Sequence, residues 1–312
     1  MNEKKIIVFG SNGLVGSSVV RKLSENNKHN VIASTRKDTD LFHLDEVKST
    51  VKNIKPDIVI IAAAKVGGIH ANNIQRVDFL LENLKINMNI FEACLSNPNI
   101  HIINLGSSCI YPLDSPNPIE ENEFMNGALE KTNSPYAMAK LTSIELADAM
   151  KIQYGHKITN LMPTNLYGPN DNFSLEYSHV IPGLIHRMHL AKINFDKIFT
   201  AWGTGKPLRE FLFVDDLSNA INFVIENKIE SNLLNIGSNE EISISSLIMK
   251  LQKIVGFNGE VVFDKNKPDG NPRKLLNSEK IHNLGWKAKT SLDEGLEITY
   301  DWFVKNFDSI RS

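Results

Sequence analysis

A hydroxyl, a thiol, a phenol and an ammonium, groups that exchange protons or hold an oxyanion, lie in two short stretches of this 312-residue chain. In "NLGSSCIYP", Ser107 and Cys109 stand two apart after an apolar run. Residues i and i+2 of extended backbone face one side, so at a strand end these two share one space. In "SPYAMAKL", Tyr136 and Lys140 stand four apart, on one face of a helix. A phenol with an ordinary pKa of about 10 carries protons poorly near neutrality. A neighbouring ammonium favours its ionised form and lowers that value. With Ser107 bonded to the same substrate oxygen, the set can protonate an alkoxide while a hydride reaches its carbon.

Such side chains need a rigid frame. Short β-rich runs alternate with amphipathic stretches through the first half of the chain, the pattern of βαβ units and a parallel sheet. Strands are expected at Lys5–Phe9, Asn30–Thr35, Asp57–Ala62, His101–Leu105 and Ile158–Met162, with helices such as Gly16–Glu25 and Phe79–Leu95 between them. Their unbroken apolar character suits strands covered on both faces. After Pro163, "PTNLYGPNDNFSLEYSH" reads as loop and "VIPGLIHRMHLAK" as helix, while "REFLFVDDLSNAINFVIEN" and "LLNIGS" read as a return to the first sheet. The expected architecture is α/β: a Rossmann-type doubly wound parallel sheet over residues 1–165 plus about 210–237, and a smaller α/β substrate domain over about 166–209 plus 238–312.

"IIVFGSNGLVG" places Gly10, Gly13 and Gly16 between the first strand and the first helix. This G-x-x-G-x-x-G spacing is a variant of the dinucleotide fingerprint: a tight turn, an approach for pyrophosphate to backbone, and close helix packing. The helix N-terminus offers unpaired N–H groups to phosphate. The second strand runs into "ASTRKDTD", where Arg36 suits the 2′-phosphate of NADP rather than the free ribose of NAD. Asp38 and Asp40 leave open a plainer role for Arg36 as a solvated charge in a polar loop.

Composition narrows the class. A hydrophobic fraction of 42%, a charged fraction of 22% and a net charge of −2 suit a soluble globular protein and give no basic excess for nucleic acid. The longest apolar runs fall well short of a membrane span or a signal peptide, so a cytoplasmic protein with no membrane partner is expected. Cys94, in the helical pattern "NIFEACLSN", reads as a core thiol, and the two cysteines make no disulfide framework.

The segments "AAAKVGGI", "GSSCIYP", "YAMAK", "MPTNLYGPNDNF", "SHVIP", "WGTGKPLREFLFVDD", "KPDGNPRKLL" and "LGW", in this order, resemble the extended short-chain dehydrogenase/reductase family over nearly the whole chain. Within it, the resemblance is to enzymes that epimerise C3 and C5 and reduce C4 of GDP-4-keto-6-deoxy-D-mannose with NADPH. It implies that Cys109 and His179 carry the epimerisation. A C4 ketone acidifies C3 and C5, and inversion needs a base on one face and an acid on the other. Thiol and imidazole can both exchange protons near neutrality. Ser107 and Tyr136 would steady the enolate oxygen, and Tyr136, supported by Lys140 and Ser107, would protonate the reduced oxygen.

The resemblance further implies NADP(H) contacts from Gly10, Ser11, Asn12, Gly13, Leu14, Val15, Gly16, Arg36, Leu105, Gly106, Lys140, Pro163, Thr164, Asn165, Leu166 and His179, with no metal. Substrate contacts would come from Arg187, Trp202, Arg209 and Asp269, since a GDP-sugar brings two phosphates and a planar base. Surface charge for the arginines and core packing for Trp202 are the plainer readings. Related enzymes pair through helices flanking the sheet, so a homodimer is expected. Ser11 and Asn12 depart from the basic residues common in the family's glycine turn, which leaves 2′-phosphate selection to Arg36. Residues 113–130 and 191–199 also resemble the family less.

Other readings stand beside this one. A cysteine hydrolase would use Cys109 and His179 but has no need of the nicotinamide machinery. A metal site lacks further ligands at suitable spacing, and a buried structural thiol at Cys109 is the plainer reading, since free cysteine is often buried. A sibling C4 reductase for another GDP-4-keto sugar such as a GDP-heptose, with or without epimerase activity, differs by one hydroxymethyl group in its pocket. A nucleotide-sensing regulator would not require Ser107, Tyr136 and Lys140 together.

Overall fold

The computed structural model describes residues 3–25, 27–267 and 269–310. The strands are β1 (Lys5–Phe9), β2 (Asn30–Ser34), β3 (Ile58–Ile61), β4 (His101–Leu105), β5 (Lys157–Pro163), β6 (Asn165–Tyr167), β7 (Ile198–Trp202), β8 (Leu208–Phe213), β9 (Leu234–Ile236), β10 (Glu241–Ser243), β11 (Glu260–Asp264) and β12 (Arg273–Lys274). The α-helices are α1 (Leu14–Ser24), α2 (Leu44–Ile54), α3 (Ile69–Ile74), α4 (Arg76–Cys94), α5 (Ser134–Tyr154), α6 (Val180–Ile193), α7 (Val214–Glu226), α8 (Ile244–Val255), α9 (Glu279–Leu284) and α10 (Leu292–Lys305).

Six parallel strands form the main sheet in the order β2-β1-β3-β4-β5-β9. Alternation along each strand assigns its two faces. Ile6, Val8, Ile58, Ile60, Ile103 and Leu105 enter a core with α1 and α7, whereas Ile7, Phe9, Val59, Ile61 and Ile102 enter another with α2, α4 and α5. Both faces are thus covered, which is why the strands read as unbroken apolar runs. Cys94 lies in the second of these cores and is fully buried; burial pushes its thiol up to about 12. The chain leaves β1 toward β2 and returns across it to β3. That reversal opens a crevice beyond the carboxyl ends of β1 and β3, the usual ligand position in such sheets.

A further core gathers α6, α8, α10, β7 and Phe211 and Phe213 of β8. The expected loop around Asn165 contains β6, and β8 does not rejoin the main sheet; it pairs instead with β6, β10 and β12. The reason is visible in its side chains. Phe211 and Phe213 point into this core while Leu212 points into the α1–α7 core, so β8 is packed on both sides between them. From the later part of the chain, β9 joins the main sheet, and α7, with Ile281 of α9 and Trp286, packs on it. No helix among the described residues is long and apolar enough to cross a membrane.

Candidate active site

The glycine turn is shaped by steric need. Gly10 has φ +83°, and a side-chain carbon there would lie 2.6 Å from Ala63 backbone beyond β3. A Cβ at Gly16 would lie 2.1 Å from the Gly10 carbonyl oxygen, so α1 starts against the turn with no room for a side chain. The N–H groups of Gly10 and Ser11 donate to the Ser34 carbonyl at the end of β2 (3.0 and 3.2 Å), tying the turn to its neighbour strand. Gly13 caps α1 without a side-chain bond, which leaves the first-turn N–H groups for a ligand. Ser11 is buried with an unpartnered hydroxyl, while Asn12 is exposed and Leu14 and Val15 are half-buried. A cradle of backbone donors beside an orphaned hydroxyl fits a dinucleotide pyrophosphate.

Past β2, the Asp38 carboxylate accepts from the Thr35 N–H (2.9 Å) and hydroxyl (2.6 Å), and these bonds hold it below the usual carboxylate range. Asp38 is therefore engaged in its own turn. Arg36 extends over the Phe42 ring at 5.1 Å, largely exposed, with only a long 3.9 Å approach to Asp40.

On the opposite side of the crevice the backbone leaves β4 through Gly106, whose N–H donates to the Leu161 carbonyl at 2.9 Å. Gly106 leaves no space for a Cβ beside the Met162 side chain. Strand geometry ends at Leu105; Ser108–Ile110 is a single 3-10 turn. The juxtaposition of Ser107 and Cys109 thus comes from this turn and not from strand alternation. Ser107, still extended, accepts the Cys109 N–H at 3.2 Å.

Tyr136 and Lys140 lie one turn apart on α5, as their spacing requires. The Lys140 ammonium is buried, donates to the Leu105 carbonyl at 2.7 Å and lies 5.8 Å from the Tyr136 ring. Burial pushes its pKa down to about 8. The Tyr136 phenol is raised, not lowered: burial acts first, then the charge of neighbouring Cys109, against a hydrogen bond with Ser107. It is a protonated acid at neutral pH, and Lys140 does not offset that in the protein alone. Serine, thiol and phenol are mutual neighbours. Asn133, the residue preceding α5, joins them by donating its side-chain N–H to Cys109 Sγ at 3.4 Å. Sequence reasoning passed over Asn133, although it stands one helical turn before Tyr136 at a position suited to an N-cap.

His179 directly precedes α6 and is exposed; desolvation by the protein around it lowers its imidazole below the ordinary value. A chain of contacts ties it to the others. Gly68 N–H donates to the Tyr177 carbonyl at 2.9 Å, and a Cβ on Gly68 would strike the Ser178 carbonyl at 2.3 Å. A Cβ on Gly67 would lie 3.2 Å from Phe79, whose ring meets Tyr136 edge-on at 6.3 Å. Two glycines after β3 therefore let the Tyr177–Ser178 backbone, which leads into His179, approach closely.

Pro163 ends β5; Thr164 and Asn165 then bond the Glu210 carbonyl at 3.3 and 2.8 Å, and Leu166 packs on the α1–α7 core. The residues expected to grip substrate form two groups. Arg187, half-buried, stacks on Phe199 (5.1 Å) and Trp202 (5.6 Å) beside a pocket of about 420 Å³. Trp202 is exposed at the end of β7 and is not core. In the second group, Asp269 accepts from the Thr204 N–H (2.6 Å) and hydroxyl (2.7 Å), and a Cβ added to Gly270 would lie 3.6 Å from the Arg209 guanidinium and 3.5 Å from Ile69 of α3. Since α3 begins after Gly68, this group adjoins the segment of His179. Burial lowers both arginines from their ordinary value, opposed by Asp269 at Arg209.

A two-sided parallel sheet, a glycine turn at its reversal point and a Ser–Tyr–Lys set beyond β4 define a nucleotide-dependent epimerase/reductase architecture. The chain belongs to the NAD dependent epimerase/dehydratase family, whose profile matches residues 6–237. It is 47% identical to GDP-L-fucose synthase 1 of Arabidopsis thaliana over 302 residues, 97% of this chain and 94% of that protein. Among solved structures, the GDP-6-OMe-4-keto-L-xylo-heptose reductase from C. jejuni superposes with a TM-score of 0.91 at 31% identity, covering 98% of this chain and 99% of that one. The GDP-L-fucose synthetase from Naegleria fowleri bound to NADP gives 0.90 at 29% identity, covering 100% and 97%.

Proposed function

We propose that this protein converts GDP-4-keto-6-deoxy-D-mannose to GDP-L-fucose by 3,5-epimerisation followed by NADPH-dependent reduction at C4. The observation that carries the reading is the thiol of Cys109 beside both Ser107 and Tyr136, because reduction alone requires no thiol there. The 47% identity to a fucose synthase supports the same substrate.

In the epimerisation, one of Cys109 and His179 removes the proton from C3 or C5, and the electron pair of the broken C–H bond moves onto the C4 oxygen. Ser107 and Tyr136 hold the enolate oxygen by hydrogen bonds. The other member of the pair returns a proton to the opposite face, and both exchange with solvent before the second carbon is inverted. Bound NADPH supplies the hydride for C4. Tyr136, protonated because it is buried beside Cys109, gives its proton to the C4 oxygen. Lys140, held by the Leu105 carbonyl, then stabilises the phenolate left behind.

The cofactor is held in this reading by Gly10–Gly16, Leu105–Gly106 and Pro163–Leu166, with Arg36 on the 2′-phosphate, since Asp38 is engaged elsewhere. Arg187, Trp202, Arg209 and Asp269 hold the GDP moiety. The same reading divides the chain into a cofactor domain (1–165 plus about 210–237) and a substrate domain, in a cytoplasmic homodimer. Support for a dimer comes from α4 and α5, which leave Val77, Leu81, Met88 and Met138 exposed.

The test is incubation with GDP-4-keto-6-deoxymannose and NADPH in heavy water. Deuterium at C3 and C5 of a GDP-fucose product is expected. Reduction without label removes the epimerase half. Turnover only with a GDP-4-keto-heptose establishes the second reading, which is the less supported one: the superposition on a heptose reductase (TM-score 0.91) is matched by that on a fucose synthetase (0.90). No NADPH oxidation with any keto-sugar nucleotide leaves a sensor.

A further inference from the structure

We infer that Asn133 is a positioning residue for Cys109, its side-chain N–H holding the sulfur at the corner shared with Ser107 and Tyr136; its catalytic meaning rests on the proposed epimerisation. Asparagine is among the best helix N-caps, its side-chain oxygen normally accepting a first-turn N–H. Asn133 immediately precedes α5 yet makes no capping bond. Its amide nitrogen donates instead to Cys109 Sγ at 3.4 Å, and its amide oxygen is left buried without a partner. A buried oxygen with no donor is destabilising, because it has given up water and gained nothing. The Asn133 backbone (φ −107°, ψ 6°) lies outside the extended conformation of a capping residue and Pro135 has no N–H to cap, so the side chain is not held by the helix and is left for the sulfur.

The backbone beneath it is fixed from both sides. The Glu130 carboxylate accepts from the N–H groups of Thr132 (3.0 Å) and Asn133 (3.1 Å) and from the Thr132 hydroxyl (2.6 Å). From α4, Arg76 donates to the carbonyls of Lys131 (2.9 Å) and Thr132 (3.3 Å) and to the Ser134 hydroxyl (3.1 Å). An N–H donor favours the charged form of its acceptor, and the start of the 21-residue α5 adds its positive end. The titratable groups facing this corner are Tyr136 and, behind it, Lys140 on α5, and Glu130 with Lys274 beside it. Among these, Tyr136 is the one coupled electrostatically to Cys109, and its phenol stays neutral.

The test is the rate of Cys109 alkylation by iodoacetamide against pH, read by peptide mass, in the full-length protein and in Asn133→Ala and Asn133→Asp. Cys94 is buried and serves as the unreactive internal reference. Loss of the donor should move the profile upward by about one pH unit, roughly a tenfold slower reaction at pH 7. Asn133→Asp, which puts a like charge beside the sulfur, should move it further. Thermal melting of Asn133→Ala should stay near that of the parent, since no cap is lost. Superimposed profiles overturn the inference. A shifted profile in a protein that exchanges no deuterium at C3 or C5 upholds the positioning and removes the epimerase reading. An unmoved profile in one that does exchange removes the positioning alone.

Discussion

Replacing Gly16 by alanine isolates how the cofactor turn is built. The added carbon would lie 2.1 Å from the Gly10 carbonyl oxygen and 2.7 Å from its carbon, whereas ordinary contact begins near 3.4 Å. Both obstacles are backbone, so the start of α1 and the turn must separate by roughly 1 Å, and such overpacking costs about 1–3 kcal/mol. The same carbonyl accepts the Gly13 N–H at 3.1 Å, and losing that bond adds about 1 kcal/mol. Gly155 provides the control. It ends α5 at φ +70° with nothing within 4 Å of an added Cβ, so alanine there meets left-handed strain alone, about 1–2 kcal/mol. Urea denaturation should therefore show Gly16→Ala losing about 2–4 kcal/mol and Gly155→Ala about half that. NADPH at a hundredfold excess over its Kd should add about 2.7 kcal/mol to the parent and to Gly155→Ala, and nothing measurable to Gly16→Ala. If Gly16→Ala loses no more than the control and keeps the NADPH increment, the account of the turn is wrong.

His101 and Asp171 should bend the stability–pH curve in opposite directions. Burial holds the folded His101 imidazole down to about 4, so the unfolded chain takes up a proton first and stability falls as pH drops from 6.5 toward 4. His101→Gln should lack that loss, on the order of 2–3 kcal/mol, in paired acid and neutral urea titrations. Burial raises the Asp171 carboxyl to about 7, one oxygen being unpartnered, so the folded state loses stability as pH climbs from about 4 to 7. Asp171→Asn should gain on the parent across that window by on the order of 3 kcal/mol, and a flat difference curve would refute the assignment. Arg36→Ala should weaken NADPH binding about 10- to 100-fold and leave NADH nearly unchanged, by fluorescence titration; equal weakening of both removes the 2′-phosphate role.

The sheet was legible because strands buried on both faces carry a signal of their own. The ends of β1 and β4 coincide with the apolar runs Lys5–Phe9 and His101–Leu105, and β2, β3 and β5 differ by a residue at one or both ends. The short strands β6, β10 and β12 carry two or three residues each within polar sequence, too few for a period of two to register. Leu208–Phe213 was legible as a strand but not as to its sheet, because packing on both faces looks the same in sequence wherever it occurs. Around the site, the four-residue spacing of Tyr136 and Lys140 translated directly into one helix face. The placement of Cys109 did not, since a 3-10 turn mimics in sequence the alternation of a strand. Asn133 escaped notice because its distinction is a missing cap bond, which only geometry reveals.

The strand β8 bears on how a nucleotide-sized ligand gets in. Phe211 and Phe213 are embedded on one side and Leu212 on the other. A jaw-like swing of the two cores would have to strip at least one of these side chains from its packing, at about 1.5–3 kcal/mol each. That anchoring makes the molecule stiff along its middle. Admission then falls to the surface connections flanking the crevice, those of residues 112–133 and 168–179. These carry Asn133 and His179, so under the proposed function ligand entry and the placement of the epimerising pair depend on the same segments.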